Sequence, residues 1–119
     1  MPPTREPKSG RSLAGVVRLD RADKLDGAVL IVALHDVTYV DAPSRVVAER
    51  SYDALSGIHS EIPFSLDLPA DLSSRASYAL KAEIRRSDRD ELTPGDYLST
   101  VAHPWTPGET RAVILVRRI

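Results

Sequence analysis

From Ile62 to Leu68 every second residue is apolar: Ile62, Phe64, Leu66 and Leu68 alternate with Pro63, Ser65 and Asp67. A period of two puts the apolar side chains on one face of an extended strand, and it does not fit a helix, whose faces repeat every 3.6 residues. The same rhythm runs through Leu13, Gly15, Val17 and Leu19, and through Tyr78, Leu80, Ala82 and Ile84 against Lys81, Glu83 and Arg85. Ala28 to Val37 is rich in Val, Ile and Leu on both faces, which predicts a central strand covered on both sides. Arg45 to Tyr52, a weak Tyr97 to Ala102 and Ala112 to Arg118 complete the extended segments. Between them lie the Asp41 to Ser44 turn, polar Asp53 to Ser60 and charged Ser87 to Glu91. The prolines of His103 to Pro107 are expected to break the strand before them. Pro69 to Ser77 is the one plausible helical turn, with Asp71 or Ser73 as its cap.

About seven strands with a turn every ten residues or so predict an all-β chain, an antiparallel β-sandwich. Residues 12–119 are expected to form its single domain. Met1 to Arg11, with Pro2, Pro3 and Pro7 and no apolar run, read as a flexible N-terminal tail. Proline cannot donate to a ladder, so Pro63 argues for an edge position or a strand start.

Several function classes are excluded on composition. A net charge of −1 offers no bulk attraction to nucleic acid, and six scattered aromatics make no stacking platform. There is no cysteine for a disulfide, a thiolate metal site or a nucleophile. The longest apolar run, Ala28 to Leu34, is far below the ~18 residues of a membrane helix, so no membrane insertion by this chain is expected. With neither an apolar leader nor a cysteine for lipid attachment, the sequence as it stands predicts a cytoplasmic protein. The alternative is a periplasmic or outer-membrane-associated one from which a leader was removed.

His35, His59 and His103 are too dispersed for a metal motif, and His35 reads as a strand-end histidine making one hydrogen bond. The acidic groups Asp20, Asp23 and Asp26, and Asp88, Asp90 and Glu91, match no calcium loop and read as solvated turns. No Gly-x-Ser-x-Gly elbow and no phosphate-cradling loop is present. No catalytic residue, metal ligand or cofactor is therefore assigned. Tyr39, Val40 and Trp105, at or beyond the ends of strong strands, are the candidate partner-binding residues; Trp105, between Pro104 and Pro107, reads more readily as the anchor of its loop.

Four segments carry a family resemblance: Leu25 to Val37 (LDGAVLIVALHDV), Asp41 to Glu49 (DAPSRVVAE), Ile62 to Leu66 (IPFSL) and Tyr78 to Ile84 (YALKAEI). Their order and spacing resemble the YbaY-type lipoproteins and their relatives, the YscW-type pilotins of type III secretion, over roughly Ser12 to Ile119. The resemblance implies an immunoglobulin-like or transthyretin-like sandwich and a non-enzymatic role, since such pilotins bind a secretin subunit and guide it to the outer membrane. It transfers no catalytic residue. The chain departs from the family pattern in its missing leader and lipidated cysteine, and in the charge-rich, proline-bearing Arg85 to Trp105.

The expected function is thus protein binding, to a secretin-like or other envelope protein, by edge-strand pairing or an apolar patch. The first and last strands are the expected edges. The alternatives are a small ligand-binding or hydrolytic domain built on His35 or His103, and a purely structural domain; oligomeric state stays open.

Overall fold

The period-two segments become eight strands in the computed structural model, which describes residues 11–39, 41–86, 91–99 and 103–119. They are β1 (Arg11–Lys24), β2 (Val29–Asp36), β3 (Arg45–Tyr52), β4 (Ile58–Leu68), β5 (Tyr78–Arg85), β6 (Tyr97–Leu98), β7 (His103–Trp105) and β8 (Arg111–Arg118). The expected tail lies outside the described residues except for Arg11, which opens β1 opposite Leu68. The Ser87 to Asp90 part of the charged turn and Thr100 to Ala102 also lie outside them.

One continuous sheet runs β3-β2-β5-β6-β8-β1-β4, with β7 paired to β5 beside this path. β3 and β4, at its two ends, approach each other, so the sheet curls nearly into a barrel. All neighbours are antiparallel except β1 and β8, which run parallel from Ala14/Arg111 to Leu19/Val116. This places the first and last strands inside the sheet and makes β3 and β4 its edges, contrary to the expectation for β1 and β8.

Pro63 fits its edge. The Ser65 amide and carbonyl point away from β1, toward β3. Strand groups two residues apart point the same way, so the amide hydrogen Pro63 lacks falls on the open side, where no ladder needs it.

The alternating residues pack into one core. Leu13 and Val17 of β1, Leu66 of β4 and Ile114 of β8 meet Leu30, Val32 and Leu34 of β2 and Leu80 and Ile84 of β5, all at most 1% exposed. β2 is central as expected, but its outer face is only partly covered: Val29, Ile31 and His35 are half-buried there.

Two local readings are corrected. Pro69 to Ser77 forms turns and no helix, although Ser73 makes the contact expected of a cap: its Oγ accepts the Arg75 amide at 3.0 Å, and the Tyr78 hydroxyl accepts the Ser73 amide at 2.9 Å. The Ser73 bond is of the kind an N-cap makes, but only one i+3 bond follows it, from the Ala76 amide to the Ser73 carbonyl at 3.3 Å, before β5 begins at Tyr78. His103 to Trp105, expected as a break, is a short strand on β5, with Leu80 opposite His103 and Tyr78 opposite Trp105.

Candidate functional site

β1, β4 and the β7–β8 connection meet at one end of the barrel around a groove of about 590 Å³. Its apolar wall is Leu68, Pro69, Ala70, Leu72, Trp105 and Pro107, and Arg11 and Glu109 bring a charge of each sign to its lining. Trp105 is only 3% exposed. Its ring meets Tyr78 edge-on, centroids 6.0 Å apart at 70°, and its indole N–H donates to the Glu109 carbonyl at 3.2 Å. The Glu109 carboxylate in turn accepts the Thr106 amide at 2.9 Å, so the loop closes over the indole.

Cross-strand rows bring the candidate partner-binding residues to this same end. Asp36 lies opposite Tyr78, and Tyr78 opposite Trp105. Tyr39, three residues beyond Asp36, is 77% exposed. Between them, Asp36 accepts the Thr38 amide at 3.0 Å and its hydroxyl at 2.6 Å, while the Thr38 hydroxyl accepts the Ser77 amide at 3.0 Å. Tyr39 is thereby presented to solvent from a pinned stem, beside a 290 Å³ depression formed with Asp36, Pro43 and Arg45. Val40 lies outside the described residues. Of the remaining two candidates, one faces solvent and the other forms a wall.

Two sets of surface residues escaped the sequence reading. Ala70 and Leu72 line the groove, but they stand in a polar stretch with no period to mark them. On the outer face of β1, β4 and β8, Val113 lies beside Val16, and Val16 beside Pro63; Val113 is 39% and Leu115 55% exposed. In β8 apolar residues occupy both parities, which hid that outer row.

The histidines stay apart in their bonding. His35 Nδ1 is 3.0 Å from Ser44 Oγ, and burial, followed by the Lys81 charge, holds its imidazole below the ordinary value. His59 Nε2 is 2.7 Å from the Ser56 carbonyl. Among the described residues, no hydrogen bond joins a histidine to a carboxylate, and no cluster of three or more His, Asp or Glu could hold a metal ion.

Asp23 is structural and half-buried at the end of β1, whereas Asp26 is exposed in its turn as expected. Between Arg18 and Asp23 the β1 register against β4 slips, which turns the end of β1 across the barrel toward β6. There Asp23 accepts the hydroxyl of fully buried Tyr97 at 2.7 Å and an ion pair from Arg86. Arg86 also donates to the carbonyls of Gly95 and Lys24, each at 2.9 Å. Asp26 accepts the Gly57 amide at 2.6 Å. The Tyr97 hydrogen bond, then those from Lys24 and Arg86, hold the Asp23 carboxyl below its ordinary 3.8. Burial pushes the Tyr97 phenol up to about 12, and the Asp23 charge adds to the shift. Burial pushes against ionisation of Asp96 too, but bonds from the Arg86 and Thr93 amides outweigh it and lower that carboxyl.

Stability is therefore expected to fall at both ends of the pH scale. Below about pH 4 the unfolded carboxylates take up protons that folded Asp23 and Asp96 refuse. Above about pH 10 the unfolded phenol ionises while folded Tyr97 stays neutral, a loss on the order of 2 kcal/mol by pH 12. Urea midpoints across pH 3–12 check this; Tyr97→Phe should remove the alkaline contribution and leave that of Asp96 in place.

A family model described as type III secretion system lipoprotein chaperone (YscW) matches residues 8–102. Among solved structures, an alternative pilotin from the type II secretion system of Vibrio cholerae matches with a TM-score of 0.73 and 21% identity, over 92% of this chain and 96% of that one. At that identity the likeness is one of fold. No curated protein matches. The family description overturns the expectation of a cytoplasmic chain, because lipoproteins of this kind work in the cell envelope; the periplasmic or outer-membrane alternative is the closer. A leader absent from a sequence says nothing of what preceded it, and the cytoplasmic reading had rested on that absence.

Proposed function

The chain belongs to the YscW family of type III secretion system lipoprotein chaperones, and from that membership we propose that it works without catalysis, by holding a secretin or another envelope protein through the groove beside Trp105. The observation that carries this reading is the groove itself. A concavity of about 590 Å³, apolar along Pro69, Ala70, Leu72 and Pro107 and polar along Arg11, Ser12, Glu109 and Thr110, suits an amphipathic segment of a protein, which sets its apolar side on the first wall and its polar side on the second. Tyr39, exposed at the same end, extends the contact surface. Residues 12–119 act as one domain in this reading. Its two halves, β4-β1-β8 and β3-β2-β5, serve as the facing layers of an immunoglobulin-like or transthyretin-like sandwich, and a smallest extent of 23 Å supports two layers.

The test is titration calorimetry of the full chain with a purified secretin subunit. Wild type is expected to bind, and Leu72→Asp, which sets a charge in the apolar wall, to bind at least about tenfold more weakly with its circular dichroism unchanged. A secretin that does not bind, or binds Leu72→Asp equally well, would overturn this assignment.

A further inference from the structure

Tyr52, the last residue of β3, places its hydroxyl on the backbone of β4. The O–H donates to the Ser65 carbonyl at 3.1 Å, and the same oxygen accepts the Ser65 amide at 2.9 Å. Satisfying the amide and carbonyl of one residue together is what a neighbouring strand does at each hydrogen-bonded pair of an antiparallel ladder. A single phenol thus stands where a strand would. Arg50 reinforces it: Nη1 donates to Ser65 Oγ at 2.9 Å, and the guanidinium lies 4.8 Å from the centre of the Tyr52 ring. Among the described residues no backbone ladder joins β3 to β4, so these side chains supply hydrogen bonds across the seam, beside the packing of Val47 and Ala48 on the core.

We propose that the β3–β4 seam is a strand-addition site for an extended segment of the protein partner, latched shut by Tyr52 and Arg50. The proposal rests on the protein-binding reading above and adds a second mode of contact to it. The incoming backbone replaces the phenol at Ser65. By the parity already noted, it then meets the groups of Glu61 and Asp67, which face the seam as Ser65 does. Pro63 supplies a carbonyl but no amide there, which centres the added strand on Ser65 and limits its length.

Charge selects the segment. Arg50 has no carboxylate partner among the described residues, and once freed from Ser65 it is placed to pair with an acidic side chain. A second copy of this chain fits less well. Antiparallel pairing of β4 with itself about Ser65 would set each Pro63 against the other copy's Asp67, leaving two carbonyls without donors where a separate segment leaves one.

Random peptides of about twelve residues displayed on phage, selected on the full chain and on Tyr52→Phe, provide the test. Enriched peptides are expected to alternate apolar residues around an Asp or Glu. They should bind Tyr52→Phe about fivefold tighter than wild type, because no phenol has to be displaced. They should lose at least about tenfold on Ser65→Pro, whose missing amide hydrogen faces the seam and not β1. N-methylation of alternate peptide amides should abolish binding while leaving the protein untouched. The absence of enriched peptides, or peptides indifferent to N-methylation, would overturn the proposal. So would a Tyr52→Phe protein that binds none of them but sediments as a dimer, which would assign the edge to a second copy. A secretin that fails to bind leaves the peptide result standing, so the two readings fail separately.

Discussion

Gly15→Ala is expected to cost about 3 kcal/mol of stability, a large part of the 5–15 kcal/mol typical of a whole domain. Gly15 takes the inward position between Leu13 and Val17, with Phe64 opposite it on β4 and Ala112 on β8. A Cβ there would lie 1.9 Å from the Ala112 carbonyl oxygen and 2.9 Å from its carbon. The obstacle is backbone, so no change of rotamer relieves it. Only separation of β1 from β8 does, and that opens the parallel ladder, each lost hydrogen bond costing about 1 kcal/mol. The urea midpoint checks this, and a midpoint equal to wild type would refute it. Gly15→Val should show no cooperative transition at all.

Trp105→Ala should cost about 3–5 kcal/mol, the range for deleting a buried large aromatic. The ring fills one end of the barrel and presses on Tyr78, so its loss opens a cavity under β7 and leaves the Glu109 carbonyl without its indole donor. Trp105→Phe keeps most of the filling and should cost far less. Tyr39→Ala, at a side chain 77% exposed, should leave the thermal midpoint unchanged and act only on partner binding. Thermal melts beside secretin titrations separate the two roles. A Trp105→Ala protein as stable as wild type, with binding alone impaired, would make that indole a contact residue after all.

Wherever one face of a strand packs and the other meets solvent, the strands were legible. Ile62 to Leu68 and Tyr78 to Ile84 show in the structure the alternation they carry as sequence. Pro63 announced its edge because the chemistry of proline is local. What the chain order concealed was pairing. Nothing in Ala112 to Arg118 says that it lies parallel to β1, since parallel neighbours share no turn and the residue types of β8 suit either direction. The edges were misplaced for the same reason. His103 to Trp105 was misread because Pro104 looked like a breaker, whereas a three-residue strand beside the main path loses little from one missing amide. Of the site, Tyr39 and Trp105 could be picked out as aromatics near strand ends. That one would face water and the other fill the barrel depends on the Asp36, Tyr78 and Trp105 row, which exists only once β2, β5 and β7 lie side by side.

The parallel union of β1 with β8 also governs when this molecule can be finished. Ala14 waits for Arg111, at almost the opposite end of the chain. A polypeptide emerging amino end first can form the β1–β4 and β2–β5 pairs early, yet β1 keeps one bare side until β8 arrives. Such distant pairing is slow, because the whole intervening chain must be ordered before the contact is gained. Until that moment the incomplete molecule is an open sheet, exposed to proteases and to pairing with its neighbours.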